Sequence, residues 1–448
     1  MQYSFSPKLK LASFVLIILG AVLYGIGVFM NSADQKDPKY IENMVQSHPE
    51  KFFGDYQSAE YQELNQTHLE GHDNPQWHTW EHHVANRPWA ALMTASYFAF
   101  GLSAAALFFL CVQFASNSGW SIVVSRVMEG IASYIPVGGI LMLIIVFASA
   151  FGGNHLFHWM DKSLVDPTDP HYDIFIASKS KIWLNIPGWL SRSVLYVLIF
   201  SAGLFWIKRA TKRLDEVKDR KNWEKLFTAA VVFIVLYSLS ITGMAWDWVM
   251  SLDPHWYSTI FMFYGIVSHQ VAAAALTAII SINLKNQGSL PLFNDNHQHD
   301  LAKYMFGFSI LWTYLWFCQF MLQWYADIPE EVQYFQQRNA QYPGYYWMLL
   351  VNFLLVLLIM TSSGIKRVPQ LVFWMGVMII LGHYWDFYNQ IMPAAVGAFH
   401  NFGLLEIGSL MFVGGLFTYV VFSAISKLNL EPKGNPYFHE SKIYEYPF

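Results

Sequence analysis

The sequence predicts an all-α polytopic membrane protein with ten transmembrane helices, and three observations predict it. Of its 448 residues, 54% are hydrophobic and only 13% charged, about half the charged share of an average soluble domain. The apolar residues gather into ten stretches, each close to the roughly 20 residues that a helix needs to cross a bilayer core. Lys and Arg are shared unequally between alternate loops, as in a chain oriented by membrane insertion.

The ten stretches run over 11–30, 89–115, 120–150, 189–207, 226–246, 258–283, 303–325, 345–363, 370–391 and 402–425. The first follows Lys8 and Lys10, but it exceeds the apolar core of a cleavable signal and is expected to stay as an anchor. With the N-terminus inside, the inner loops hold 17 Lys and Arg, eight of them between Lys208 and Lys225, and the outer loops hold 9. Both termini are therefore expected in the cytoplasm. Two outer loops, 31–88 and 151–188, are long, and the first carries ten acids and six histidines. Loops of that length usually have a function, so a docking surface for a periplasmic partner stands beside a merely solvated acidic loop.

An internal echo suggests the domain organisation. Trp246-Asp247-Trp248 with Pro254 is matched by Trp385-Asp386-Phe387 with Pro393 at a constant offset of 139 residues. An offset of four spans is what two four-helix bundles, spans 2–5 and 6–9, produce when related by a parallel repeat. The chain then divides into an anchor helix (1–30), an acidic loop (31–88), a first bundle (89–246), a second bundle (247–391) and a tenth span with its tail (392–448), with spans 1 and 10 peripheral.

Ionisable residues at membrane depth are costly and are functional candidates by default. Most cluster toward the outer side: His155, His158 and Asp161 after span 3, Asp247, Asp253 and His255 after span 5, His383 and Asp386 in span 9, and His400 with Glu406 at span 10. Gln319, Gln323, Asp327, Glu330 and Glu331 close the seventh span on the same side. The inner half holds chiefly Arg126 and Glu129, spaced so that they can pair on one helix.

Three readings compete for the outer groups. Quinol oxidation releases two protons and needs acceptors such as Asp, Glu or His beside an aromatic cleft. Haem b would need histidines facing each other from different spans, and His269 with His383 is the deepest pair. Interfacial anchoring and capping is the structural alternative. Ordered by depth, Glu129, His269, His383 and Asp386 also form a broken line of titratable groups across the bilayer, a candidate proton relay.

Other chemistry finds little support. Cys111 and Cys318 are the only cysteines, too few for a disulfide framework, a haem c attachment or an iron–sulfur centre. His78 and His82 are spaced like a helical zinc pair, but Glu81 does not occupy the metalloprotease position. No phosphate loop and no serine-nucleophile turn occurs. No metal and no resident cofactor is expected on this chain.

Two segments are familiar as a pair. Trp246-Asp247-Trp248-Val249-Met250-Ser251-Leu252-Asp253-Pro254-His255-Trp256-Tyr257-Ser258-Thr259-Ile260-Phe261, and Gln319 to Tyr325 followed by Ala326-Asp327-Ile328-Pro329-Glu330-Glu331, resemble a membrane subunit of bacterial alternative complex III. More narrowly, the chain resembles the smaller of its two ten-span subunits of the polysulfide-reductase membrane type, the F subunit. The resemblance implies an inner-membrane subunit of a respiratory menaquinol:cytochrome c oxidoreductase. Menaquinone would be the mobile carrier. The partners it implies are the second ten-span quinol subunit and periplasmic iron–sulfur and cytochrome c subunits, whose clusters and haem c take the electrons, with a terminal oxidase as a further associate. It assigns no quinone-binding residue here. A secondary transporter is the alternative from another class, since transporters also combine repeats with intramembrane carboxylates.

Overall fold

A computed structural model describes residues 3–48, 51–52 and 77–446. The docking role expected of the acidic loop falls largely on residues 53–76, outside the described part. Among the described residues there is no β-sheet, and nine helices are long and apolar enough to cross a membrane. The chain is a multi-pass, all-α membrane protein.

The helices follow the apolar stretches but overrun them. Helix α1 (Pro7–Lys36) leads through the short α2 (Pro38–Ser47) towards α3 (Trp77–Ala115). The expected loop 31–88 is thus shortened from both ends, because α1 and α3 continue into polar residues beyond the apolar core. The third span is two helices, α4 (Ser125–Ala132) and α5 (Ile135–Ala150). They break just before Pro136, which sits in the first turn of α5, where a missing N–H costs little. A short surface helix, α6 (Ile174–Ile182), precedes α7 (Ile186–Glu216) and α8 (Arg220–Trp248). The second half repeats this order with α9 (Phe261–Asn286), α10 (Asp295–Ala326), the surface helix α11 (Pro329–Gln341), α12 (Trp347–Met360) and α13 (Pro369–Val396). Helix α14 (Leu404–Ile425) and the short α15 (Phe438–Lys442) complete the chain.

Two expectations need correction. The eighth span, expected over 345–363, forms only α12, about 21 Å long against a hydrocarbon core near 30 Å. Thr361-Ser362-Ser363-Gly364 ends it, and Leu350–Leu354 within it is π-helical. The wide turn sets buried Asn352 so close to α13 that a Cβ on Gly382 would lie 2.0 Å from its Oδ1. Glu330 and Glu331 do not close the seventh span: it ends at Ala326, next to its expected limit, because Asp327 adopts φ +49° and stops α10. Glu330 and Glu331 then fall in the first turn of α11, where negative charge suits the helix dipole.

Packing groups α3, α4/α5, α7 and α8 on one side and α9, α10, α12 and α13 on the other, with α3 bridging by contacts to both α9 and α13. The most buried spans are α9 and α3, 83% and 78% of whose apolar windows are enclosed, so the core lies between the two groups. Helices α1 and α14 pack mainly on each other and on α3. Their seam is built from seven-residue spacing: Ser13, Gly20 and Gly27 face Gly408 and Gly415. A Cβ on Gly20 would lie 2.3 Å from the Phe412 nitrogen, and one on Gly408 2.5 Å from the Tyr24 nitrogen, so the two backbones touch, as small residues allow between membrane helices.

Both chain ends lie at one face. Tyr3 and Phe5 meet Phe422, Ser441 bonds to Trp120 and Val123, and Tyr437 packs on Trp223. This terminal face also carries the basic 208–225 segment; the opposite, distal face carries α2, α6, α11 and the turns between spans.

Proline inside a membrane helix frees the carbonyl four residues earlier. Pro88 in α3 frees the Val84 carbonyl, and buried Asn31 of α1 donates its Nδ2 to that oxygen at 2.9 Å. Replacing Asn31 by leucine is expected to cost about 1–2 kcal/mol. Thermal unfolding in detergent should detect that loss, and Pro88→Ala in the same chain should recover most of it.

Candidate functional site

The echoed aspartates, Asp247 and Asp386, are both fully buried near the distal ends of α8 and α13. Each is satisfied by donors that the sequence does not set beside it. The Asp247 carboxylate accepts from Arg192 Nε and Nη2 at 2.7 and 2.9 Å, from Trp183 Nε1 at 2.7 Å and from Tyr196 hydroxyl at 2.7 Å. Its backbone carbonyl accepts from Trp189 Nε1 and from Ser251. Arg192 also lies over the Trp183 ring, 4.1 Å from its centre. A buried carboxylate held by a guanidinium and two neutral donors is locked in one geometry.

Asp386 is held differently. Ser268 hydroxyl donates to its Oδ2 at 2.8 Å, Trp312 Nε1 at 3.0 Å, and Tyr264 hydroxyl donates to Oδ1. Ser268 Oγ also lies 2.8 Å from His383 Nδ1, so the hydroxyl bridges histidine and carboxylate. Among the described residues no Lys or Arg pairs with it, and His383 Nδ1 lies 3.8 Å from its Oδ2. The two aspartates therefore occupy equivalent sequence positions with opposite electrostatics: one neutralised by a cation, one held by neutral donors alone.

The repeat extends to the surface helices. Lys179 of α6 donates to the Pro254 carbonyl, and Gln337 of α11 donates to the Pro393 carbonyl at 3.0 Å. Both helices sit between the second and third spans of their group. Beside Gln337, fully buried Arg338 donates to the carbonyls of Asn389 and Tyr334 at 2.9 and 2.8 Å and stacks 3.3 Å above Tyr334. The Asn389 carbonyl is the one that Pro393 frees.

His269 lies between the two helix groups. Its Nδ1 faces the Gly265 carbonyl at 3.0 Å, and its ring packs on Phe387 with centroids 4.2 Å apart. Its Nε2 has no hydrogen-bond partner and abuts the α3 backbone, only 2.1 Å from where a Cβ on Gly101 would stand. The α3 backbone therefore closes the Nε2 edge of His269. Of the relay candidates, the structure joins His383 and Asp386 through Ser268; Glu129 belongs elsewhere. Buried near the terminal face, it pairs with Arg126, which also bonds Asp215, and accepts from Thr211 at 3.2 Å.

The remaining outer candidates separate. Glu406 is fully buried, caps the start of α14 through Gly403 N–H at 2.8 Å and faces Arg87 at 3.6 Å. His155 presents its backbone to Asn86 while its ring lies 4.0 Å from His82. Asp161 caps a turn at Ser163, and His255 lies 3.2 Å from Asp173; both are exposed groups. His158 is exposed on the same surface. His400 stacks on Tyr342 and meets the Gln341 carbonyl at 2.6 Å, and burial lowers its pKa. Among the described residues no three His, Cys, Asp or Glu side chains gather as a metal site; the His78 side chain lies outside them.

Asp253 lines a cleft of about 380 Å³ at the distal end of the first group. Its walls include Trp183, Trp246, Trp256 and Tyr257, with Lys179 beside Asp253. Trp183 separates this cleft from Asp247, to which it donates. The residues that the sequence hid are thus the donors: Arg192, Tyr196, Tyr264, Ser268, Trp312 and Arg338. Arg192 had a signal, since it is a cation inside the expected stretch 189–207.

The fold and these buried polar centres define a multi-pass helical membrane protein. Searched against protein-family models and against curated proteins, the chain matches none.

Proposed function

We propose that this chain is the smaller ten-span membrane subunit of a menaquinol:cytochrome c oxidoreductase of the alternative complex III type. It lies in the bacterial inner membrane with its terminal face in the cytoplasm. The observation supporting this reading is that the two segments on which the resemblance rests converge on the distal face. Trp256, in the first, stacks on Tyr334 just beyond the second, with ring centroids 4.1 Å apart. A shared aromatic floor under both segments suits a surface on which periplasmic iron–sulfur and cytochrome c partners rest.

In that complex the chain is chiefly scaffold. Asp247 is already paired with Arg192, whereas the Asp386–Ser268–His383 group is the arrangement suited to exchanging a proton. A quinol ring would enter through the aromatic cleft, where Asp253 is the lining carboxylate. The second ten-span subunit, iron–sulfur clusters and haem c belong to the partners.

Purification through a tag on this chain from its native membrane tests the reading. The expected result is co-elution of haem c proteins and menaquinol-dependent cytochrome c reduction, with no haem signal from the chain once separated. Elution alone, with solute uptake after reconstitution, would instead establish the transporter reading. Sidedness is checked with cysteines at Gln287 and Thr168 in a chain whose Cys111 and Cys318 are replaced. An impermeant thiol reagent added to spheroplasts is expected to label Thr168→Cys and spare Gln287→Cys.

A further inference from the structure

On the terminal face, beside the short turn that joins α7 to α8, a second cleft of about 320 Å³ opens, room for roughly ten water molecules. Arg209 and Arg213 line it from α7, and Lys221 and Lys225 from the first turns of α8. All four are exposed, and none is in an ion pair with a carboxylate of the described residues. The one acid in the lining, Glu224, is held by Arg220 at 2.9 Å. Four cations converging on one recess repel each other and form no ion pair with a carboxylate of the described residues, so the recess favours an anion.

The membrane-facing continuation of the cleft narrows the choice of anion. Trp206 forms its inner lip and is 45% exposed, an aromatic position typical of the membrane–water interface. From there the same rows of both helices run down as exposed apolar side chains: Leu198 and Leu195 on α7, Val232, Val235 and Leu239 on α8. A soluble phosphate compound would use the cations alone. A ligand carrying both an anionic phosphate and acyl chains uses the cations, the tryptophan and the apolar rows together.

We propose that the recess between α7 and α8 is a binding site for one anionic phospholipid, its phosphate held by Arg209, Arg213, Lys221 and Lys225 and its acyl chains lying along the rows through Leu198 and Val235. This assignment is independent of the redox reading, since it rests on a face of the first helix group away from Asp247.

Native mass spectrometry of the full chain, released from detergent with added phosphatidylglycerol or phosphatidylcholine, tests it. Wild type is expected to retain one phosphatidylglycerol in preference to phosphatidylcholine. Arg209→Gln with Lys225→Gln should weaken that retention about tenfold or more, since juxtamembrane cations each contribute strongly to anionic lipid binding. Lys212→Gln with Lys218→Gln removes equal charge from the same segment outside the cleft lining and should leave retention unchanged; Arg209→Lys should largely preserve it. Equal loss in both double variants would reduce the effect to general surface charge and overturn the site. Displacement of the lipid by inorganic phosphate would overturn the acyl-chain part and assign the recess to a soluble anion. Lipid adducts indifferent to headgroup in wild type would also overturn it.

Discussion

Replacing Asp247 by alanine is expected to destabilise the protein by about 3 kcal/mol or more, because it leaves Arg192 inside the protein edge without its counter-charge. Arg192 retains 20% side-chain exposure, which keeps the loss toward the lower end of the range for a buried pair. Tyr196 and Trp183 lose their acceptor at the same time, adding the cost of unsatisfied donors. The measurement is thermal or denaturant unfolding of the full chain in mild detergent. Asp247→Leu combined with Arg192→Leu should recover much of the loss, since removing both charges costs less than stranding one. If the double variant is no more stable than the single one, the pair is not what holds α7 to α8.

The second large effect is expected at Arg338. Arg338→Met leaves the Asn389 carbonyl, already deprived of its helical donor by Pro393, without a partner in a region closed to water. It also removes the stacked cation over Tyr334 and a bond to the Gln390 carbonyl at 3.4 Å. A loss of about 3 kcal/mol follows from charge-assisted bonds and the stranded carbonyl. A specific rescue separates this account from simple packing damage. Pro393→Ala returns an N–H to the Asn389 carbonyl, so it should restore about 1 kcal/mol in the Arg338→Met chain and little in the wild type. Absence of that difference in unfolding midpoints would show that the guanidinium acts through something other than the proline-freed carbonyl.

The spans were legible because the bilayer imposes a length and a composition that a short window can detect. The eighth was oversized because Tyr345, Tyr346 and the residues after Met360 are apolar or neutral enough to extend a hydropathy run, whereas a helix stops where Ser and Gly offer other backbone partners. The surface helices α6 and α11 were missed for the opposite reason: short and half polar, they carry no membrane signal and are held by distal contacts such as Lys179 to Pro254. Asp247 and Asp386 stood out as acids in apolar runs, and their echo was visible. Their unlike surroundings were not, because Arg192 and Tyr196 come from one helix position in the repeat, and Tyr264, Ser268 and Trp312 from others. Glu129 was legible as a partner of Arg126 by spacing, but Asp215, far along the chain, could enter that cluster only through the fold.

The glycine seam between α1 and α14 sets an order on biogenesis. Helix α1 finds its chief neighbour only when α14, many spans later in the sequence, has been made. Until then Gly20 and Gly27 form a bare stripe facing lipid, and a chain cut short before Leu404 never covers it. The seam therefore works as a clasp that closes only once α14 is in place: until then an open backbone groove runs along α1.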